Sequence, residues 1–223
     1  MIEKKFIRLL CCLFIAIMAC GTVSAQNKHQ LRAGAYKGPM IPMAAPEAPD
    51  AAPFYSNLSA VANTCTSCNY FSGDGFLVLG PSNCFSPGAT QWLAYPFVAA
   101  RTGAVRRVQL AVTQFGMCGG GNQFTVSIYD DACPSGETPN NLLASKTATA
   151  PAAPCLLATA NFGTTGPMLT AGNRYWVVVT TASPSQDTFT GVWWFANSGP
   201  EDVNFNDGNG WLLFGGAGAF SVQ

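Results

Sequence analysis

The sequence predicts an all-β domain: an antiparallel β-sandwich of jelly-roll type with about nine strands, stapled by disulfides. Three observations carry that prediction. Apolar and polar residues alternate at period two in several segments. Gly, Pro and Asn punctuate those segments. Six cysteines lie beyond residue 25.

The first 25 residues read as a leader. Lys4, Lys5 and Arg8 make a short basic start, an apolar run from Leu9 to Ala19 follows, and Val23-Ser24-Ala25 puts small residues where a signal peptidase needs them. That run is eleven residues. A membrane span needs about 20. Cleavage after Ala25, with export and Gln26 as the new first residue, is the expectation. Ile17-Met18-Ala19-Cys20 offers the alternative of a lipid anchor on Cys20, although Met18 fits such a site poorly. No segment after residue 25 resembles a transmembrane span, and Phe220-Ser221-Val222-Gln223 does not read as an anchoring tail.

Residues 26–54 read as a spacer. The stretch from Pro39 to Pro53 is rich in proline and alanine, holds Glu47 and Asp50, and has no hydrophobic period. Such composition favours a flexible or polyproline-like chain. The domain then spans 55–223. Charged residues are 10% of the chain, well under the ~25% of an average domain. Loss of the leader removes three basic groups and one acid from a balanced chain, leaving a net charge of −2. Without a basic stripe, nucleic acid is not an expected partner. Without a basic amphipathic helix, neither is a membrane surface.

Within the domain, Val108, Leu110 and Val112 alternate with Gln109, Ala111 and Thr113. Phe124, Val126 and Ile128 alternate with Thr125, Ser127 and Tyr129. This is the pattern of half-buried strands. The continuous run Tyr175-Trp176-Val177-Val178-Val179 suits a central strand buried on both faces. Further strands are expected at 75–80, 90–98, 141–149, 155–163, 189–196 and 211–222. Gly80-Pro81, Pro87-Gly88, Gly119-Gly120-Gly121, Pro134-Ser135-Gly136, Gly166-Pro167 and Gly208-Asn209-Gly210 mark the turns between them.

The cysteines of the domain are Cys65, Cys68, Cys84, Cys118, Cys133 and Cys155, an even set suited to an oxidising compartment. If successive strands reverse direction, Cys118 and Cys155 share one end of the sandwich, and that pair is favoured. Cys133 belongs to the other end. Cys65 and Cys68 either bond each other or separate to partner Cys133 and Cys84.

Several segments together resemble a known family. They are Tyr55-Ser56-Asn57-Leu58, Gly75-Phe76-Leu77-Val78-Leu79-Gly80, an aromatic strand at 91–97, Val126-Ser127-Ile128-Tyr129-Asp130-Asp131 and Leu142-Leu143-Ala144. Gly172 before Tyr175-Trp176, then Trp193-Trp194 and a closing Phe220-Ser221-Val222, complete the series. In that order they resemble the bacterial secreted "choice-of-anchor" domains, closest to the type R group. The resemblance covers about residues 55–223 and implies a β-sandwich at the cell surface, with little chemistry. The turn Ala132-Cys133-Pro134-Ser135-Gly136-Glu137-Thr138-Pro139 and the lack of a C-terminal anchor depart from the family pattern.

Catalytic groups are sparse. The single histidine, His29, lies in the spacer with no scaffold to hold it against a nucleophile. Cys65-Thr66-Ser67-Cys68 has redox spacing but no surrounding βαβ pattern, so a structural disulfide is the preferred reading. Asp74, Asp130, Asp131, Glu137, Asp187, Glu201, Asp202 and Asp207 include possible glycosidase carboxylates, but most sit beside turn residues. Asp202, Asn204 and Asn206 alternate like calcium ligands. An EF-hand loop, however, needs Gly and Glu where Asp207 and Leu213 stand, and Asp207-Gly208 and Asn209-Gly210 are hairpin signals. Asn57-Leu58-Ser59 matches a glycosylation sequon to which no weight is given. Aromatics are the best ligand candidates. Trp193 and Trp194, adjacent on a strand, point to opposite faces. One belongs to the core. The other is either covered or free to stack on a sugar ring. Trp211, beside Asp207, is a further candidate.

The expectation is a non-catalytic secreted or cell-surface module with a structural or adhesive role and no cofactor, not an enzyme. Its partner would be an extracellular or cell-surface glycan or protein. A carbohydrate-binding module using Trp193, Trp194, Trp211 and Asp207 is the alternative, and a glycoside hydrolase ranks last.

Overall fold

Each segment expected to be extended contains strand. The computed structural model describes residues 32–33, 52–58, 75–115, 120–131, 138–152, 156–196, 202–208, 210–216 and 218–223. In chain order the strands are β1 (Arg32–Ala33), β2 (Tyr55–Ser56), β3 (Gly75–Leu79), β4 (Trp92–Val98), β5 (Gly103–Ala104), β6 (Arg107–Leu110), β7 (Val112–Gln114) and β8 (Gln123–Asp131). They continue with β9 (Pro139–Thr149), β10 (Ala158–Asn161), β11 (Met168–Leu169), β12 (Arg174–Thr180), β13 (Thr190–Trp194), β14 (Asp202–Asn206), β15 (Trp211–Gly215) and β16 (Phe220–Val222). Two 3-10 turns, Gly163–Thr165 and Pro184–Gln186, are the helical elements among the described residues. None of these helices is long and apolar enough to cross a membrane.

One layer is a six-stranded antiparallel sheet in the order β15-β14-β4-β12-β8-β9. The other combines two four-stranded sheets, β10-β6-β16-β2 and β1-β3-β13-β7. They join at Ala111, which interrupts the expected 108–113 strand. Its N–H donates to the Ala219 carbonyl at 2.9 Å, and its own carbonyl accepts the Trp194 N–H at 3.0 Å. The end of β13 and the start of β16 therefore meet beside one residue. A short β5–β11 pair completes the set.

The inner faces share one core. Leu93, Tyr95 and Phe97 of β4, Phe124, Val126 and Ile128 of β8, and Tyr175, Val177 and Val179 of β12 meet residues of the second layer. From that layer come Phe76 and Val78, Val108, Leu110 and Val112, Trp193, Phe220 and Val222. Phe220 is the hub, with ring centroids 4.9 Å from Tyr55, 6.0 Å from Trp193, 6.1 Å from Phe97 and 6.4 Å from Tyr95. Two antiparallel layers around one apolar core are consistent with a β-sandwich. The run 175–179 is central as expected. It lies between β4 and β8, with alternate residues in the core and in a second apolar cluster on the outer face.

The strand set is finer than the nine segments expected. Residues 211–222 divide into β15 and β16, and 202–206, read as turn or calcium loop, are strand. The spacer contributes β1. Polar sequence such as Asp202-Val203-Asn204-Phe205-Asn206 has weak intrinsic strand preference. Pairing with β4 on one side and β15 on the other supplies what propensity does not.

The outer face of the second layer is also apolar and covered. Leu77, Leu79, Ala111, Val192, Trp194 and Ala219 form a cluster there, against which Leu58, Ala89, Phe115 and Leu157 pack. The loop bearing Ala89 is organised around buried Asn83. Its Nδ2 donates toward the carbonyls of Gly80, Ser86 and Ala89 at 2.6, 3.0 and 2.9 Å, and its Oδ1 accepts the Ser86 N–H at 2.7 Å. Cys84 in this loop is disulfide-bonded. Cys65, Cys68, Cys118, Cys133 and Cys155 lie outside the described residues. At the end of the sandwich assigned to Cys118 and Cys155, the Gln114 N–H reaches the Pro151 carbonyl at 2.9 Å. The Phe85 ring meets Phe115 there at 5.8 Å, so the loop carrying Cys84 comes to the same end.

Candidate functional site

The tryptophans divide by burial. Trp193 and Trp194 do point to opposite faces, but each face is covered: they are 0% and 2% exposed. Trp193 packs edge-on to Tyr95 at 4.4 Å, and its Nε1 donates to the Ala219 carbonyl at 3.1 Å. Trp194 Nε1 donates to Thr113 Oγ1 at 2.8 Å. Both indoles are buried and bonded within the fold, so of the two alternatives for the second ring the covered one is observed, and neither Trp193 nor Trp194 is free to stack on a sugar. The face assignment followed from strand geometry; the cover over Trp194 comes from loops distant in sequence.

Trp211 is partly exposed. On the outer face of the six-stranded sheet Trp211 lies opposite Asn206, and Asn206 opposite Trp92, so the three share a cross-strand row. Trp92, also partly exposed, is held by its Nε1 donating to Thr181 Oγ1 at 2.8 Å. Ala94, Trp176 and Val178 form the buried floor beside them, with Tyr129 and Trp211 packed against it. Asp207 falls in the turn between β14 and β15.

A second polar group lies on this face. Arg174 grips Asp131 with two bonds, Nε to Oδ2 at 2.9 Å and Nη2 to Oδ1 at 3.2 Å. Trp176 Nε1 donates to the same Oδ1 at 2.7 Å, and the guanidinium lies 5.4 Å from the Trp176 ring centroid. One carboxylate thus satisfies an arginine and a buried indole. In the sequence Asp131 is one acid among several. The Arg174-x-Trp176 spacing, which puts both on one face of a strand, was the available signal.

Asp130 accepts the Asn141 N–H at 2.7 Å and Nδ2 at 3.0 Å. The side-chain bond from Asn141 lowers its pKa despite some burial. A glycosidase general acid requires a shift in the opposite direction. Asp187 accepts the Ser82 N–H through its backbone carbonyl at 2.8 Å. Asp74, Glu137, Glu201 and His29 lie outside the described residues, which contain no cluster of three or more His, Cys, Asp and Glu suited to a metal.

The calcium reading does not match the geometry. Asp202, Asn204 and Asn206 sit on β14, where alternate residues are about 6.7 Å apart along the strand. Ligands must converge to about 2.4 Å from one ion. Asn204 is 1% exposed, and Asn206 Oδ1 accepts the N–H of Gly208 at 2.7 Å and of Gly210 at 3.4 Å. The side chain of Asn206 closes the hairpin, and Gly208, at φ 99°, turns it.

Comparison with protein-family models and with curated proteins finds no match to this chain.

Proposed function

We propose that the chain is an exported, non-catalytic β-sandwich module with a structural or adhesive role at the cell surface or outside the cell. The observation that carries this reading is the structural engagement of its chemistry-bearing groups. Trp193, Trp194 and Trp176 donate their indole N–H groups within the fold, and Asp130 and Asp131 accept bonds from Asn141, Arg174 and Trp176. A jelly-roll topology belongs to the same proposal. Successive stretches alternate between layers: β3 in one, β4 in the other, β6 and β7 back in the first, β8 and β9 in the second. Disulfide stapling belongs to it as well, with Cys84 as its described member. The choice-of-anchor resemblance supports surface location, and cleavage after Ala25 or lipidation at Cys20 would set the mode of release.

A second reading, carbohydrate binding, has one observation in its favour: partly exposed Trp211 and Trp92 flank Asn206 in a single row on a sheet face. Aromatic rings beside amide groups suit a sugar's apolar face and hydroxyls. The test is a glycan array and a polysaccharide-hydrolysis panel run on the purified exported protein and on Trp211→Ala. The structural or adhesive reading expects no released sugar and no glycan signal that depends on Trp211. A signal abolished by Trp211→Ala replaces it with the carbohydrate-binding reading. Turnover of any glycan overturns both.

A further inference from the structure

The six-stranded sheet ends in two strands of different character, β9 and β15. Among the described residues, no strand pairs with the far edge of either. β9 carries devices that keep an edge solitary. It starts with Pro139, its register with β8 shifts twice, and Lys146 lies exposed along it. β15 carries none of them. Trp211-Leu212-Leu213-Phe214-Gly215 has no charge and no proline, and its five residues pair with β14 in unbroken register. The apolar clusters on both faces of the sheet also run out to this edge. Leu212 is partly buried against the main core, and Trp211 is partly buried against the outer cluster of Ala94, Trp176 and Val178.

We propose that the β15 edge is a self-association surface, and that its partner is β15 of a second copy of this chain, paired antiparallel about a twofold axis. Backbone donors and acceptors along a strand edge are self-complementary, and a twofold contact uses the same patch on both copies. Pairing all five residues puts Leu213 opposite itself, Leu212 opposite Phe214 and Trp211 opposite Gly215. An aromatic residue opposite an edge glycine is a stabilising cross-strand pair. Charge favours the same partner. An uncharged strand meets its copy with no like-charge pair. The two copies of Asp207, in the turns that precede β15, fall at opposite ends of a ladder about 17 Å long. β9, the protected edge, then lies at both outer ends of the joined sheet, so association stops at the dimer. A five-residue edge is a small interface, and a Kd of about 1–100 μM is expected.

The test is sedimentation equilibrium of the exported chain, with Leu213→Lys and Leu213→Glu measured alone and mixed. The parent is expected to pass from monomer to dimer with rising concentration. Each variant alone is expected to associate at least tenfold more weakly, because two like charges then face each other. Mixing the two variants is expected to restore a dimer, which requires position 213 of one copy to stand opposite position 213 of the other. Hydrogen exchange on the parent needs no variant and decides the matter where a variant does not fold. Protection of 211–215 is expected to rise with concentration while 139–149 stays unchanged. A parent that remains monomeric, folded variants that dimerise as the parent does or do not recover on mixing, or protection that rises at 139–149 instead of 211–215 overturns the proposal.

Discussion

Two tryptophans of similar apparent promise have opposite standing. Trp193 fills the core between Tyr95 and Phe220, so Trp193→Ala removes a fully buried ring and is expected to cost about 3–5 kcal/mol. Trp211 is partly exposed, and Trp211→Ala is expected to cost about 1 kcal/mol or less. Urea denaturation of both variants checks the contrast, and similar losses would contradict the assigned burial. Close packing reaches the backbone here as well. A Cβ on Gly218 would stand 2.5 Å from Tyr95 Cε2 and 2.7 Å from the Trp193 indole. Titration gives a second expectation. Burial raises the Tyr55 hydroxyl to about 12, with the Asn57 side chain acting in the opposite direction, and burial raises Tyr95 as well. The folded state holds these protons more tightly than the unfolded chain, whose tyrosines titrate near ~10. Their contribution is therefore full below pH ~10 and is lost as pH rises from there through about 12. Melting temperatures measured from pH 8 upward should fall in that window, and Tyr55→Phe should flatten the fall.

At the scale of elements, the exposed edge strand β9 carries its own protection. Lys146 pairs with Val126, so it lies on the core-facing side yet remains exposed at the rim. A charge on that side of an edge strand opposes pairing with another sheet. Lys146→Val is expected to raise the fraction of larger species in sedimentation velocity without lowering thermal stability. An unchanged distribution would remove that role. The β14–β15 hairpin depends on the Asn206 side chain. Asn206→Ala should cost about 1 kcal/mol by loss of the turn bonds. Calcium should leave the melting temperature of the parent protein unchanged, and a calcium-dependent rise would restore the metal reading at Asp202, Asn204 and Asn206.

For the whole molecule, closure comes late in the chain. β16 lies between β6 and β2, and Phe220 joins rings from both layers, so the C-terminal strand completes the core. Covalent closure is expected to add to this. Reduction under native conditions should lower the melting temperature by at least several degrees, since a structural disulfide contributes about 2–4 kcal/mol. Non-reducing peptide mapping then assigns the partners. The expected outcome is a Cys118–Cys155 link. A Cys84–Cys118 link is the competing outcome, because the Phe85–Phe115 contact brings those two loops together.

The all-β class, the positions of most strands and the opposite facing of Trp193 and Trp194 could be read from the chain alone. Period two is a local property, imposed on any extended backbone by the alternation of its side chains. Which of those faces meets water is not local. Trp194 is buried because segments around Leu58, Ala89, Phe115 and Leu157 cross over it. Asp202–Asn206 is strand because β4 and β15 flank it. Arg32–Ala33 is strand because it pairs with Phe76 and Gly75 of β3. Each of these outcomes depends on contacts between residues far apart in sequence, and only the assembled tertiary structure supplies them.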